Sequence, residues 1–529
     1  MSRTFQALLW FFCLPLALIV LIYPPKIHGY LNPYDEGMWL GLAQALIDGK
    51  KCYRDVFFHY GPVFPLAISA VLDLAKPTLS GLRGTFWVMN VAGLLMIQFC
   101  LLRFVRLTSL RLLLSLAIWS VPLAAHVLTI PMAARYGASF VSILCWSFDK
   151  ENESRSYWAY GSGLFGALAF WVSQEVGLAV VAAGLVYMSL SQHRNRKWLF
   201  MAGCLTGLLI PLALLGSGIK DIWRCTLSQT ASIVFRNAFP FPKVETSLFS
   251  EARHGIIPFM AALRSWSTLG AVIFPAMSYL AVFGWMLWRV LKRRSPDRFV
   301  LALSVYGTLT AATAFTQPDR WHIYFALSPA LVLWGYLADH FTEVTFQKRI
   351  AAGLVAVIAL FLTAPHALIS WQKERRFLVE SRMSSLARMG VSRLPLPQAN
   401  GYEALIEEID RRIPKGQKFL FYPYDGSIYF LADRPVPTYY PVLALAVDEA
   451  MQQRTVHDID FEAMRWVIQD TENNAFKGIL IEKFLAPIDQ YIKTHFTLKS
   501  SLGPFRFLIR TGGALPLKNE KSFRSDLRD

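Results

Sequence analysis

The stretch NPYDEGMW sets Asp35 and Glu36 side by side, a few residues after the first apolar run of the chain. A carboxylate within reach of a hydroxyl can take its proton as a general base. The next residues supply Arg54 and Asp55 in CYRD, then His59 in FHYGP. Further along stand Arg135 in RYG, Glu175 in QEVG, Arg236 in FRNAFPFPK, and Asp319, Arg320 and His322 in QPDRWH. Arginine grips phosphate best among the side chains, because its planar fork matches two oxygens at once. A base with several cations is equipment for proton removal and for holding a departing anion. Each residue also has a plain structural reading. Acidic residues in a first helical turn suit the helix dipole without any chemistry. Arg54–Asp55 reads equally as a surface pair, and His59–Tyr60 as aromatics settled at a membrane interface.

These residues must be positioned by membrane elements. The chain has 529 residues, 54% hydrophobic and only 17% charged, and its mean hydropathy is +0.37. A soluble domain carries about 25% charged residues. Apolar runs recur at 5–23, 83–103, 109–130, 134–149, 158–173, 175–191, 198–216, 267–291, 298–316, 322–338 and 350–371. Most approach the ~20 residues a helix needs to cross a bilayer. The net charge of +17 does not indicate nucleic acid, since much of it lies in short loops such as HRNRK and LKRRSPDR. The positive-inside bias puts such loops in the cytoplasm. Arg3 before an apolar run with no cleavage site beyond it reads as an uncleaved anchor.

The run 62–76 is short and holds Asp73. If it crossed, Arg103, Arg106 and Arg111 would lie outside, so it is read as an interfacial helix. Eleven spans follow, with the N-terminus in the cytoplasm and the C-terminus outside. The expected layout is a membrane domain over 1–371, with long outer loops at 24–82 and 217–266. Asp35, Glu36, Arg54, Asp55, His59, Arg135, Glu175, Arg236, Asp319, Arg320 and His322 all then fall at one face. Polar residues gathered at membrane depth mark a site. Pro33 and Gly49 bracket an interfacial helix whose first turn holds the two carboxylates.

Residues 372–515 read as a small outer α/β domain, and 516–529 as a disordered polar tail. KERRFLVESRMSSLARM and YEALIEEIDRRI have helical spacing. FLFYPY, GILIEKF and FRFLIRT read as strands, and DFEAMRWVIQD as a helix between them. Of six cysteines, Cys52 and Cys225 lie in outer loops, where a disulfide is one option. Asp319 and His322 stand three apart on a helix. That supplies two metal ligands, too few to define a site, so no cofactor is assigned and a divalent metal stays an option.

In order and sidedness these motifs resemble the GT-C superfamily of integral-membrane glycosyltransferases. Its members include protein O-mannosyltransferases and lipid A aminoarabinose transferases. The matching residues are Asp35–Glu36 after a first span, Tyr53–Asp55, His59–Pro62, Arg135–Gly137, Gln174–Gly177, Asp319 with His322, and YPYDGSIYFLADRPVPT at 422–438. Gln317 stands where the family pattern has arginine, and Arg320 is the nearest substitute. The resemblance implies sugar transfer from a polyprenyl-phosphate carrier to a glycan, lipid or protein acceptor. It places this at the outer face of the cytoplasmic membrane, with inversion, Asp35 as base and Glu36 as its helper. Arg54, Arg135, Arg236, Arg320 and His322 are the candidate phosphate contacts. Asp425, Tyr429 and Arg434 match a signature for packing on the membrane domain or for acceptor recognition. A transporter or flippase of a lipid-linked sugar is the competing expectation. It would set its polar residues near mid-membrane with gates on both sides.

Overall fold

The computed structural model describes residues 9–74, 76–125, 129–149, 157–215, 218–231, 256–316, 319–340, 345–476 and 478–511. Arg236, Gln317 and the tail 516–529 lie outside them. A helix stands at each of the eleven expected span positions: Leu14–Leu21, Leu79–Phe104, Thr108–Ala124, Met132–Phe148, Tyr157–Val172, Gln174–Ser189, Arg194–Leu215, Ile256–Leu291, Arg298–Thr316, Arg320–His340 and Thr345–Val379. Among the described residues six helices are long and apolar enough to cross a membrane, beginning at Leu79, Arg194, Ala262, Arg298, Arg320 and Phe346. The segment 62–76 forms helix Val63–Leu74. At 1.5 Å per residue it is about 18 Å long, against ~30 Å of hydrocarbon.

The last membrane helix runs unbroken from Thr345 to Val379, past its expected end at 371. KERRFLV therefore continues that helix, Ser381–Met383 pairs with Arg393–Pro395, and of SSLARM only Ala387–Met389 is helical, as a single 3-10 turn. The C-terminal domain, named the outer domain for its expected side, is built on four strands, β1 (Phe419–Tyr422), β2 (Trp466–Asp470), β3 (Phe496–Leu502) and β4 (Phe505–Arg510). Their order is β1-β2-β4-β3, with β1–β2 parallel and the other pairs antiparallel. Two expectations are corrected. DFEAMRWVIQD is not one helix. Helix Glu449–Phe461 stops before Ala463, which takes a left-handed φ of 46°. Trp466, Val467 and Ile468 then lie buried between two partner strands. GILIEKF is no sheet strand either: only Ile479–Leu480 pair, and Ile481–Phe484 turn into a helix.

The outer domain sits directly on the helix that begins with Asp35. A Cβ on Gly37 would lie 3.0 Å from the Gly426 nitrogen, and one on Gly426 would lie 2.5 Å from the Gly37 oxygen. Only paired glycines allow that approach. Around this contact, Gln398 brackets both backbone groups of Leu31, Phe57 N–H donates to Tyr439 O, and Lys50 reaches Val436 O. Lys26 pairs with Glu374 at 2.6 Å. Of the matched signature residues, Tyr429 and Arg434 hold the outer domain's own fold. The Tyr429 hydroxyl accepts from Phe421 N–H, and Arg434 binds Asp410 and the Ile413 carbonyl.

Asp425 is buried where the two domains meet, accepting hydrogen bonds from Ser427 and from the Tyr402 hydroxyl at 2.8 Å. Burial pushes its carboxyl up to about 6 despite these donors. A folded value above the unfolded ~3.9 makes the protonated form the stabilising one. That contribution is full below pH ~4 and is lost as the pH rises to 6, by about 3 kcal/mol. Asp425→Asn should therefore melt higher than the native protein at pH 7 and converge with it at pH 4. Thermal melts across that range check this, and parallel curves would refute it.

Candidate active site

Asn32 sets the start of the Asp35 helix. Its Oδ1 accepts from the N–H groups of Tyr34 and Asp35 at 3.0 and 3.1 Å, and its Nδ2 donates to Asp35 Oδ2 at 2.6 Å. The Asp35 carboxylate is thus oriented but remains partly exposed. Glu36 turns the other way. Both its oxygens are gripped by Arg83, at 2.7 and 2.8 Å, and Oε2 also accepts from Asn32 N–H. The pair is buried, with 1% and 4% side-chain exposure. Arg83 also binds the carbonyls of Ile27, Gly29 and Tyr30. Glu36, expected as a helper of Asp35, is held by Arg83 and with it anchors the loop ahead of the helix.

Tyr60 is the hub of the site. Its ring stacks on Trp39 at 5.5 Å with a 6° tilt, and the Arg135 guanidinium lies 4.8 Å from its centroid. The charges of Arg135, Asp35, Glu175 and Asp319 all act on its hydroxyl. Burial, reinforced by the three carboxylates and opposed by Arg135, pushes the phenol up to about 12, so it keeps its proton at neutral pH. Gly61 follows, and a Cβ there would lie 1.8 Å from the Trp171 carbonyl oxygen. That close approach carries the HYGP turn against the helix ends that bear Ser173 and Glu175.

Arg135 is buried, donates to Ser173 Oγ at 2.9 Å and pairs with Glu175. Asp319 caps helix Arg320–His340. Its Oδ1 accepts from the N–H groups of Trp321 and His322, and its Oδ2 pairs with His322 Nδ1 at 2.7 Å. Burial alone would raise the Asp319 carboxyl, but His322 and the two backbone donors together outweigh it and hold it below the usual range. The field of His322 reaches Glu175, which links the two pairs. Among the described residues no third ligand joins Asp319 and His322.

Arg320 is half-buried and feels the charge of Arg264, a residue absent from the sequence expectations. Neither guanidinium pairs with a carboxylate among the described residues. A lone arginine in the run AALRSWSTLG was the available signal for Arg264. The His59 ring lies against Tyr60, with centroids 4.1 Å apart and a tilt of 38°. Burial first, and Arg135 second, lower its imidazole to about 3, so it is neutral at any ordinary pH. Arg54 and Asp55 pair with each other at the surface, 55% and 33% exposed. Cys52 and Cys225 are buried free thiols, and Cys225 Sγ contacts the Tyr439 hydroxyl at 2.9 Å.

The structure thus brings Asp35, Arg135, Glu175, Asp319 and His322 around Tyr60, while Arg54 and Asp55 pair apart from them. The architecture is that of a polytopic helical membrane protein of the GT-C fold with a small α/β domain added. No protein-family model and no curated protein matches the chain. In structure the chain is similar to ArnT from Cupriavidus metallidurans bound to undecaprenyl phosphate. The TM-score is 0.53 at 10% identity, over 97% of this chain and 99% of that one. The apo state of the same ArnT gives 0.51 at 12% identity, over 96% and 98%. The archaeal oligosaccharyltransferase AglB from Archaeoglobus fulgidus, in complex with an inhibitory peptide and a dolichol-phosphate, gives 0.50 at 13% identity, over 97% and 75%. At such identities the likeness establishes the fold.

Proposed function

We propose that the protein is a glycosyltransferase that moves a sugar from a polyprenyl-phosphate carrier to an acceptor hydroxyl at the outer face of the cytoplasmic membrane. The observation that carries this reading is the placement of Asp35. It is an oriented, accessible carboxylate at a helix start whose charge reaches a protonated Tyr60, the ring on which Arg135 packs. ArnT and AglB, which share the fold, were captured with undecaprenyl phosphate and dolichol-phosphate.

In this reading Asp35 removes the acceptor proton as its oxygen attacks the anomeric carbon. The bond from that carbon to the phosphate oxygen breaks, and the phosphate leaves with the negative charge. Arg264 and Arg320, which pair with no carboxylate among the described residues, receive it, with Tyr60 donating a hydrogen bond. Arg135 is already neutralised by Glu175, so its part is to hold Tyr60 and Ser173 in place. A single displacement inverts the sugar. Retention would need a second carboxylate at the carbon, and Glu36 is held by Arg83.

The test is transfer by purified protein from a panel of polyprenyl-phosphate sugars, with an envelope extract as acceptor. Consumption of one donor supports the reading, and consumption of none defeats it. Arg264→Ala and Arg320→Ala should each raise the donor KM about tenfold or more, the value of a charge-assisted hydrogen bond. Unchanged donor KM in both variants would move the phosphate elsewhere.

A further inference from the structure

Three helices meet at one polar knot, and Arg264 and Arg320 each stand about one helical turn from it. Thr268 follows Arg264 by four residues on helix Ile256–Leu291, and Tyr324 follows Arg320 by four on helix Arg320–His340. Residues four apart share a face of a helix. His366, from helix Thr345–Val379, closes the knot. Its ring meets Tyr324 edge-on with centroids 5.0 Å apart. Its Nε2 lies 3.0 Å from Thr268 Oγ1 and 3.1 Å from the Arg264 carbonyl oxygen. The Tyr324 hydroxyl lies 3.5 Å from Ser267 Oγ.

The Arg264 carbonyl gathers three side-chain donors. Ser267 Oγ and Thr268 Oγ1 bond it at 2.9 and 3.0 Å, the usual reach of hydroxyls three and four residues on. The third donor is His366, from a different helix. A carbonyl only accepts, so the imidazole carries its proton on Nε2. His366 is fully buried, at 0% exposure. An imidazole inside a membrane domain is costly unless it is bonded, and such a residue marks function more often than filling. The function at hand is the placing of like charges. The charge of Arg264 acts on Arg320, and two guanidiniums without a counter-ion push apart. A site that stabilises an arriving anion well is one already held in shape.

We propose that His366 is a positioning residue: its Nε2–H pins the Arg264 carbonyl and Thr268, and so fixes the Arg264 turn beside the Arg320 turn to receive a lipid-linked phosphate. The inference rests on the reading of Arg264 and Arg320 as the phosphate contacts. Full-length protein in lipid nanodiscs is titrated with undecaprenyl phosphate and with undecaprenol, the same chain without the phosphate. The native protein should prefer the phosphate-bearing lipid about a hundredfold, the value of two charge-assisted contacts. His366→Phe keeps a ring against Tyr324 and removes the N–H, and it should lose about tenfold of that preference. His366→Gln returns an N–H near the same point and should keep most of it. Because His366 acts through Arg264, His366→Phe with Arg264→Ala should cost little more than Arg264→Ala alone. Where His366→Phe does not fold, Thr268→Val removes the other end of the bond and should show the same loss. A bond that serves stability alone would lower the melting temperature and leave the preference intact. An unchanged preference in a folded His366→Phe or Thr268→Val, or full additivity with Arg264→Ala, overturns the positioning role. Equal binding of both lipids by the native protein overturns the phosphate site itself.

Discussion

Asp35→Asn is expected to fold and to bind the lipid-phosphate donor, yet to transfer sugar about 10²–10⁴-fold more slowly, the range ascribed to a positioned general base. The substitution is nearly isosteric, and the carboxamide oxygen can still accept from Asn32 Nδ2. Local geometry is therefore kept while the basic group is removed. The change should fall on kcat, with donor KM little altered, because the cations proposed for the phosphate sit on other helices. Single-turnover transfer, read beside a thermal melt, checks both parts. A well-folded variant with native transfer would remove Asp35 from the chemistry. Glu36 would not be the natural replacement, because Arg83 occupies both its oxygens.

The neighbouring carboxylate should behave in the opposite way. Glu36→Gln leaves the Arg83 guanidinium buried without its counter-charge, and breaking such a pair costs about 3–5 kcal/mol. Its effect should appear first as a lower melting temperature and poor recovery of folded protein. Arg83 also fixes three carbonyls ahead of the Asp35 helix, so Tyr30 and the helix start should loosen together. Replacing both partners, as in Glu36→Gln with Arg83→Met, should recover part of the loss, since no orphan charge remains. A Glu36→Gln protein that melts like the native one but fails in transfer would return Glu36 to a chemical role.

The legible part of this molecule was its membrane frame. Apolar runs foretold a helix at all eleven positions, because a segment in hydrocarbon must satisfy its own backbone and carries that requirement residue by residue. The segment 62–76 was separated from the spans by loop charge, and it forms the 12-residue helix Val63–Leu74. The outer domain was harder to read. WVIQD could pass for either period, and only its insertion between β1 and β4 makes it a strand. Arg83 and Arg264 went unnoticed because a single arginine inside an apolar run carries no local sign of its partner.

By itself the sequence determined that the protein is a polytopic helical membrane protein, the positions of its apolar helices and the order of its polar motifs along the chain. The tertiary structure decided which of two adjacent carboxylates faces the site. Successive residues on a helix point about 100° apart. Asp35 is held by Asn32 and its charge reaches Tyr60, while Glu36 meets Arg83, from another helix. It also decided that Arg135 packs on Tyr60 and pairs with Glu175, and that Asp319 pairs with His322. Helical period and burial are written locally, in each residue and its near neighbours. Which charge meets which is settled only when segments hundreds of residues apart pack together.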